Sequence, residues 1–130
     1  MAGEVRTRRW NDAAEPGDGF RLLVCRYRPR GVPTAKETWN EWWPDLGPSR
    51  ALHAAYWGKG QAPIGWDEYG RRYLEEMADE AARFRIRAVA NRVAAGETVT
   101  LLCSSACTDE RKCHRTLLAN LVERMVRRHS

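Results

Sequence analysis

Three consecutive residues near the carboxyl end of the chain, Cys113, His114 and Arg115, are of types that can do chemistry. They lie where a predicted helix begins, shortly after a predicted strand that ends at Cys103. The unpaired N–H groups of a helix start bind anions, and the same field lowers the pKa of a thiol, whose thiolate is the nucleophilic form. We therefore expect Cys113 to act as a nucleophile or redox thiol, His114 as its base or orienting group, and Arg115 as an anion ligand. Cys103 is a further catalytic candidate, although a cysteine at the end of an apolar strand is also typical of plain packing.

A second basic segment follows the predicted strand Phe20–Tyr27. Arg26, Arg28 and Arg30 alternate there, and guanidinium groups suit bidentate recognition of phosphate or carboxylate. A solvated loop that pairs with acidic residues such as Glu37 is the other interpretation, and it fits Arg28 better than its two neighbours. The residues expected to bind an anionic substrate are Arg26, Arg30, Arg115, Ser104 and Ser105.

The cysteines also raise the possibility of a metal site. Cys103, Cys107, Cys113 and His114 are spaced C-x3-C-x5-C-H, and tetrahedral zinc accepts such a set of ligands. Two features argue against it: joint ligation by adjacent residues is awkward, and paired CxxC motifs are absent. We expect reduced, metal-free thiols and no cofactor.

Regular elements must position these side chains. Strands are predicted at Val5–Trp10, Phe20–Tyr27 and Thr98–Cys103, from short apolar or β-branched runs between turns. Helices are predicted at about 48–57, at 66–95 with a break near Asp79, and from about Cys113 onward. Strands alternating with helices predict an α/β fold, a three-layer α/β/α sandwich with a mainly parallel central sheet, Rossmann-like, forming one domain over residues 1–130. In such a sheet the basic segment and the Cys-His-Arg helix start share one carboxyl edge.

Composition narrows the class of partner. The chain has 130 residues and a net charge of +5, which favours a phosphate-bearing small molecule or nucleic acid as the partner. Because 17 acidic residues are interleaved, the charge is equally consistent with an ordinary solvated surface. No apolar run is long enough for a membrane span, and residues 1–6 lack the apolar stretch of a signal peptide. We therefore expect a cytoplasmic protein that does not bind a membrane.

The order of several motifs resembles the DUF488 family. The motifs are Arg6–Trp10, Asp18–Val24, Arg26 with Pro29–Val32, Asp45–Ser49, Trp66–Tyr69 with Arg72 and Tyr73, Val99–Cys103 and Cys113–Arg115. The resemblance implies a small α/β/α domain of unknown function. This chain departs from the family pattern at three positions. Cys25 stands where one branch of the family has Asp, and Arg28 stands where that branch has Trp. Ser105 stands where another branch has Glu. Carboxylates that would serve acid–base chemistry are therefore missing.

These observations support one leading function and two alternatives. The leading hypothesis is an enzyme or ligand-binding protein that acts on a phosphate-bearing molecule, such as a nucleotide or nucleic acid, through the Cys-His-Arg helix start and the Arg-rich loop. One alternative is a non-enzymatic nucleic-acid-binding or regulatory module that uses the same basic surface. The other is a metal-binding interaction domain.

Overall fold

The computed structural model describes residues 3–128, so Met1 and Ala2 of the N-terminal segment, with His129 and Ser130, lie outside the described residues. Its four strands form one parallel sheet in the order β1-β4-β2-β3. The strands are β1 (Val5–Arg9), β2 (Phe20–Leu23), β3 (Glu41–Trp42) and β4 (Val99–Cys103). The α/β class and the parallel sheet expected from the sequence are thereby confirmed.

The strands expected to carry the site are neighbours. Leu22 of β2 pairs with Leu101 of β4, and Leu23 pairs with Leu102. β2 is shorter than predicted: the N–H of Val24 still donates to the carbonyl of Leu102 at 2.9 Å, but the carbonyl oxygen of Val24 lies 2.8 Å from the side chain of His114. Residues 25–33 therefore leave the sheet as a loop.

The helices are α1 (Arg50–Trp57), α2 (Trp66–Glu76), α3 (Glu80–Ala94) and α4 (His114–Arg128). Side-chain caps explain two of the starts: Ser49 Oγ accepts from the N–H of Leu52, and Asp79 accepts from the N–H of Ala81. The predicted break near Asp79 is thus confirmed: α2 ends at Glu76, and Asp79 caps the start of α3.

All four helices contribute to one core cluster. Leu52 of α1, Tyr73 of α2, Val89 of α3 and Leu118 of α4 belong to the same cluster as Leu101 of β4. The second cluster has buried members from strands and loops only: Leu23, Cys25, Trp39, Leu102, Cys103 and Cys113. The third, helical layer of the expected sandwich is therefore not confirmed.

Two crossover loops cover that second face. Because β1, β2 and β3 are parallel, residues 10–19 and 24–40 must each return along the sheet to begin the next strand. The loops contact each other there: Thr38 Oγ1 donates to the carbonyl of Trp10 at 2.6 Å, and the rings of Trp10 and Trp39 meet edge to face. Asp18 anchors the first loop by ion pairs with Arg6, Arg8 and Arg21.

Within residues 3–128, no helix is both long enough and apolar enough to cross a bilayer.

Candidate functional site

A cavity of about 680 Å³ opens at the carboxyl edge of β2 and β4. α1 and the segment 104–113 form its walls, and Cys103 at the end of β4 lies at its floor. Its position agrees with the general rule that ligands bind beyond the carboxyl ends of parallel strands. Its lining residues are Cys25, Arg26, Tyr27, Pro48, His53, Tyr56, Trp57, Lys59, Tyr69, Cys103, Ser104, Ala106, Cys107, Thr108, Asp109, Lys112, Cys113 and His114.

A close backbone approach joins the β2 loop to the start of α1. A Cβ atom on Gly47 would lie 2.5 Å from the backbone nitrogen of Arg26, so only glycine fits there. Arg26 Nε also donates to the carbonyl of Pro48 at 2.8 Å, and this bond holds the guanidinium at the cavity wall. The predicted anion ligand Arg26 therefore lines the cavity in a defined position.

Three thiols and one imidazole meet at the cavity floor. The Sγ atoms of Cys103 and Cys107 are 3.2 Å apart, and Cys103 Sγ is 3.7 Å from His114 Nδ1. The candidate ligand atoms of Cys103, Cys113 and His114 all lie within 4.8 Å of one another. The difficulty expected for joint ligation by the adjacent Cys113 and His114 is thus not present, because their side chains turn toward the same point.

The imidazole of His114 is buried and fixed by the strand next to it. Its Nε2 lies 2.8 Å from the carbonyl oxygen of Val24, which can only accept, so Nε2 carries the proton. Nδ1 then has a free lone pair that faces Cys103. Burial lowers the pKa of His114, which favours this neutral form. His114 is only 5% exposed, so it has no role at the surface.

The three thiols differ in electrostatics. Hydrogen bonds from Cys103 and then Cys113 lower the pKa of Cys107, the least buried of the three. The hydrogen bond with Cys103 lowers the pKa of Cys113, but the bond with Cys107 and burial outweigh it, and the net direction is upward. The expected lowering of the Cys113 pKa by the helix start is therefore wrong, because burial and a neighbouring thiolate act against it.

Other predicted anion ligands lie away from the cavity. Arg30 and Ser105 are exposed and do not line it, whereas Ser104 does. Arg115, the other predicted anion ligand, is only 5 % exposed and does not line the cavity; its Nε and Nη1 are buried without a hydrogen-bond partner. Arg28 forms an ion pair with Glu37 at 2.7 Å, as the solvated-loop interpretation anticipated.

Sequence reasoning missed the aromatic and lysine wall of the cavity. α1 and the β2 loop bring Tyr27, His53 and Trp57 together, with ring centroids 5.1 Å apart for the first pair and 6.3 Å for the second. Lys59 and Lys112 are far apart in the sequence, yet they line the same space. The sequence indicates this wall only through the spacing of His53 and Trp57, which are four residues apart and therefore share one helical face.

Comparison with known proteins assigns a family and names no activity. The DUF488-N3a family, described as "Active DUF488-N3 subclade", matches residues 5–126. An uncharacterised protein of Mycobacterium tuberculosis is 34% identical over 88 residues, which cover 68% of this chain and 72% of that protein. The uncharacterised protein YeaO of Escherichia coli is 30% identical over 117 residues, which cover 89% of this chain and 94% of that protein. No solved structure matches the chain.

Proposed function

The chain belongs to the DUF488-N3a family, and we propose that it binds a nucleotide in the cavity at the carboxyl edge of its sheet. Because the similar proteins are themselves uncharacterised, the support comes from the residues around the cavity. The observation that carries the proposal is the combination of exposed aromatic rings and surface cations around one space.

The aromatic side of the cavity suits a nucleobase. Tyr27 and Trp57 are 45% and 48% exposed, which is high for rings of this size, and His53 lies between them. Exposed aromatic faces stack on bases, and a stacked base typically gains about 1–3 kcal/mol. In the proposed complex the base lies against this wall.

The cationic side suits a phosphate. Arg26, Lys59 and Lys112 line the cavity, and both lysines are exposed. Ammonium and guanidinium groups form charge-assisted hydrogen bonds with phosphate oxygens. Of the two predicted serine ligands, Ser104 is the one that lines the same space.

The volume favours a single nucleotide over a strand. About 680 Å³ falls within the range of roughly 300–1,000 Å³ typical of small-molecule sites. Nucleic-acid binding instead depends on an extended basic track along the backbone. In the proposal Cys103, Cys113 and His114, the catalytic candidates of the sequence, lie beneath the bound nucleotide.

Calorimetric titration of the reduced protein tests the proposal, with a panel of mononucleotides, their nucleosides and inorganic phosphate. The chain has three lysines, and the exposed Lys36 lies outside the cavity, so it provides a matched control. We expect Lys59→Gln and Lys112→Gln each to weaken nucleotide binding by about tenfold, the effect of about 1.4 kcal/mol, without changing nucleoside binding. Lys36→Gln should leave both unchanged.

The aromatic wall has its own control. Trp57→Ala should weaken nucleotides and nucleosides alike by about tenfold or more. Phe84→Ala, on α3, removes a ring that is 64% exposed and outside the cavity, and it should change neither. Equal losses in Phe84→Ala and Trp57→Ala would refute the proposed site. Tighter binding of short DNA than of mononucleotides, with steep salt dependence, would instead favour the nucleic-acid-binding alternative.

A further inference from the structure

Four side chains with sulfur or imidazole donor atoms come from different elements to the space beneath the cavity. Cys103 ends β4, and Cys107 lies in a turn in which its N–H donates to the carbonyl of Ser104. Cys113 directly precedes α4, and His114 is the first residue of that helix. The side chains of Cys103, Cys113 and His114 are all at most 5% exposed, whereas Cys107 is partly open to the cavity. No carboxylate belongs to this cluster among the residues described.

We propose that Cys103, Cys107, Cys113 and His114 bind one zinc ion in a tetrahedral site with three sulfur ligands and one nitrogen ligand. Tetrahedral ligands at roughly 2.0–2.3 Å from zinc lie about 3.5–3.8 Å from each other. The separation of Cys103 Sγ and His114 Nδ1, 3.7 Å, meets that geometry, and the ligand atom of Cys113 lies within 4.8 Å of both. Cys107 Sγ lies 3.2 Å from Cys103 Sγ but does not belong to this group of three, so it must move to become the fourth ligand. Its partly exposed position allows that movement.

The imidazole of His114 already has the tautomer and the orientation that a metal ligand needs. Metal-bound histidines usually donate their other ring N–H to a carboxylate or a backbone carbonyl, which fixes the tautomer and the ring orientation. His114 makes this contact with Val24 and presents the lone pair of Nδ1 to the thiols. Binding would therefore release protons only from those sulfurs that are still protonated, and none from the imidazole.

A buried cation balances the charge of such a centre. Three thiolates, a neutral imidazole and a divalent ion carry one net negative charge. Arg115 directly follows His114, is buried, interacts electrostatically with Cys107, and has two N–H-bearing atoms without a hydrogen-bond partner. Buried N–H groups without an acceptor are costly, and an adjacent anionic centre would add to the electrostatic interaction that Arg115 already has with Asp12.

The choice of zinc follows from the donor set. Thiolate and imidazole ligands in tetrahedral geometry select zinc over magnesium or calcium, which require oxygen donors. With four protein ligands the ion would be structural: it would fix the segment 104–113 against β4 and α4 and so complete one wall of the cavity. This role is independent of which ligand the cavity binds.

Metal analysis of the reduced protein, prepared without air, tests the proposal. The protein is mixed with zinc in competition with a chromogenic chelator, and in parallel with cobalt(II) alone. Cys25 is the matched control, because it is a buried cysteine whose Sγ donates to the carbonyl of Tyr27 instead of joining the cluster. We expect one zinc per chain for the native protein and for Cys25→Ser, and thiolate-to-cobalt charge-transfer bands with intense tetrahedral visible bands in both.

We expect Cys113→Ser to bind zinc at least about a hundredfold more weakly than the native protein. Removal of a residue that is only hydrogen-bonded to a metal ligand typically weakens binding by roughly ten- to a hundredfold, so a larger loss indicates a direct ligand. Cys107→Ser, on the partly exposed segment, tests the same point without altering a buried residue, and it should shift the cobalt bands toward fewer sulfur ligands. The proposal is overturned if the native protein competes for zinc no better than Cys107→Ser does. A cobalt spectrum without thiolate charge transfer would overturn it as well.

Discussion

The Nε2 atom of His114 lies 2.8 Å from the carbonyl oxygen of Val24, a residue 90 positions earlier in the chain. The contact joins the first turn of α4 to the end of β2 and sets the direction of the imidazole. The ring also packs against Tyr73 of α2, with centroids 5.4 Å apart. One side chain thus links two helices and a strand at the floor of the cavity.

His114→Ala should destabilise the metal-free, reduced protein by about 2–4 kcal/mol, because it removes a buried ring and leaves the Val24 carbonyl without its donor. His53→Ala, at the cavity wall and only partly buried, should cost less than about 1 kcal/mol. Urea unfolding with unchanged m-values measures both. Equal losses for the two variants would contradict the structural role given to His114.

Arg115 and Arg21 are both buried arginines but should respond oppositely to replacement by methionine. Arg115 has two buried N–H-bearing atoms without a partner, so Arg115→Met should leave the free energy of unfolding of the metal-free protein unchanged within about 1 kcal/mol or raise it. Arg21 pairs with Asp18 and donates to the carbonyl of Thr38, so Arg21→Met should cost about 3 kcal/mol. Similar losses in the two variants, measured by chemical denaturation, would show that Arg115 has a stabilising partner.

Asp18 should make the fold sensitive to acid. Burial alone would raise its pKa, but the N–H of Glu15 and the guanidinium groups of Arg8 and Arg21 outweigh burial and lower the pKa to about 2. Because the folded pKa lies below the unfolded value, the stabilisation is complete above about pH 5 and is lost as the pH falls through about 2. The shift corresponds to about 2 kcal/mol.

Asp18→Asn should therefore lower the stability at pH 7 by at least that amount and flatten its decline between about pH 5 and pH 2, roughly the span over which such a group titrates. Asp67→Asn, an exposed carboxylate in the first turn of α2, is the control for charge removal alone. Thermal unfolding across this pH series provides the measurement. A native-like acid decline in Asp18→Asn would refute the assignment.

Gly47→Ala should disturb the cavity itself. The added Cβ would lie 2.5 Å from the backbone nitrogen of Arg26, so the β2 loop or the start of α1 must move. We expect a loss of about 1–3 kcal/mol, typical of overpacking, together with a weaker nucleotide affinity. Gly65→Ala places its Cβ in open space at the cap of α2 and should cost less. Unchanged stability in Gly47→Ala would show that the close approach is relaxed in solution.

Local patterns in the sequence determined the elements and where they meet. Apolar runs predicted β1, β2 and β4, and helical periodicity with a break near Asp79 predicted α2 and α3. The parallel connection then placed the Arg26 loop and the α4 start on one edge of the sheet, as found. These features follow from neighbouring residues and from the handedness of the chain, so they can be predicted without knowing which distant side chains touch.

Only the tertiary structure decided the exposure and partner of each side chain at that edge. Cys113, His114 and Arg115 are buried there, whereas Cys107 faces the cavity. Aromatic side chains of α1 form part of the cavity wall. The tertiary structure also covered the second face with loops where helices were expected, because residues 10–19 and 24–40 carry the returns between parallel strands. Burial and short distances depend on segments up to 90 residues apart, and no local pattern of residue types records which of them come into contact.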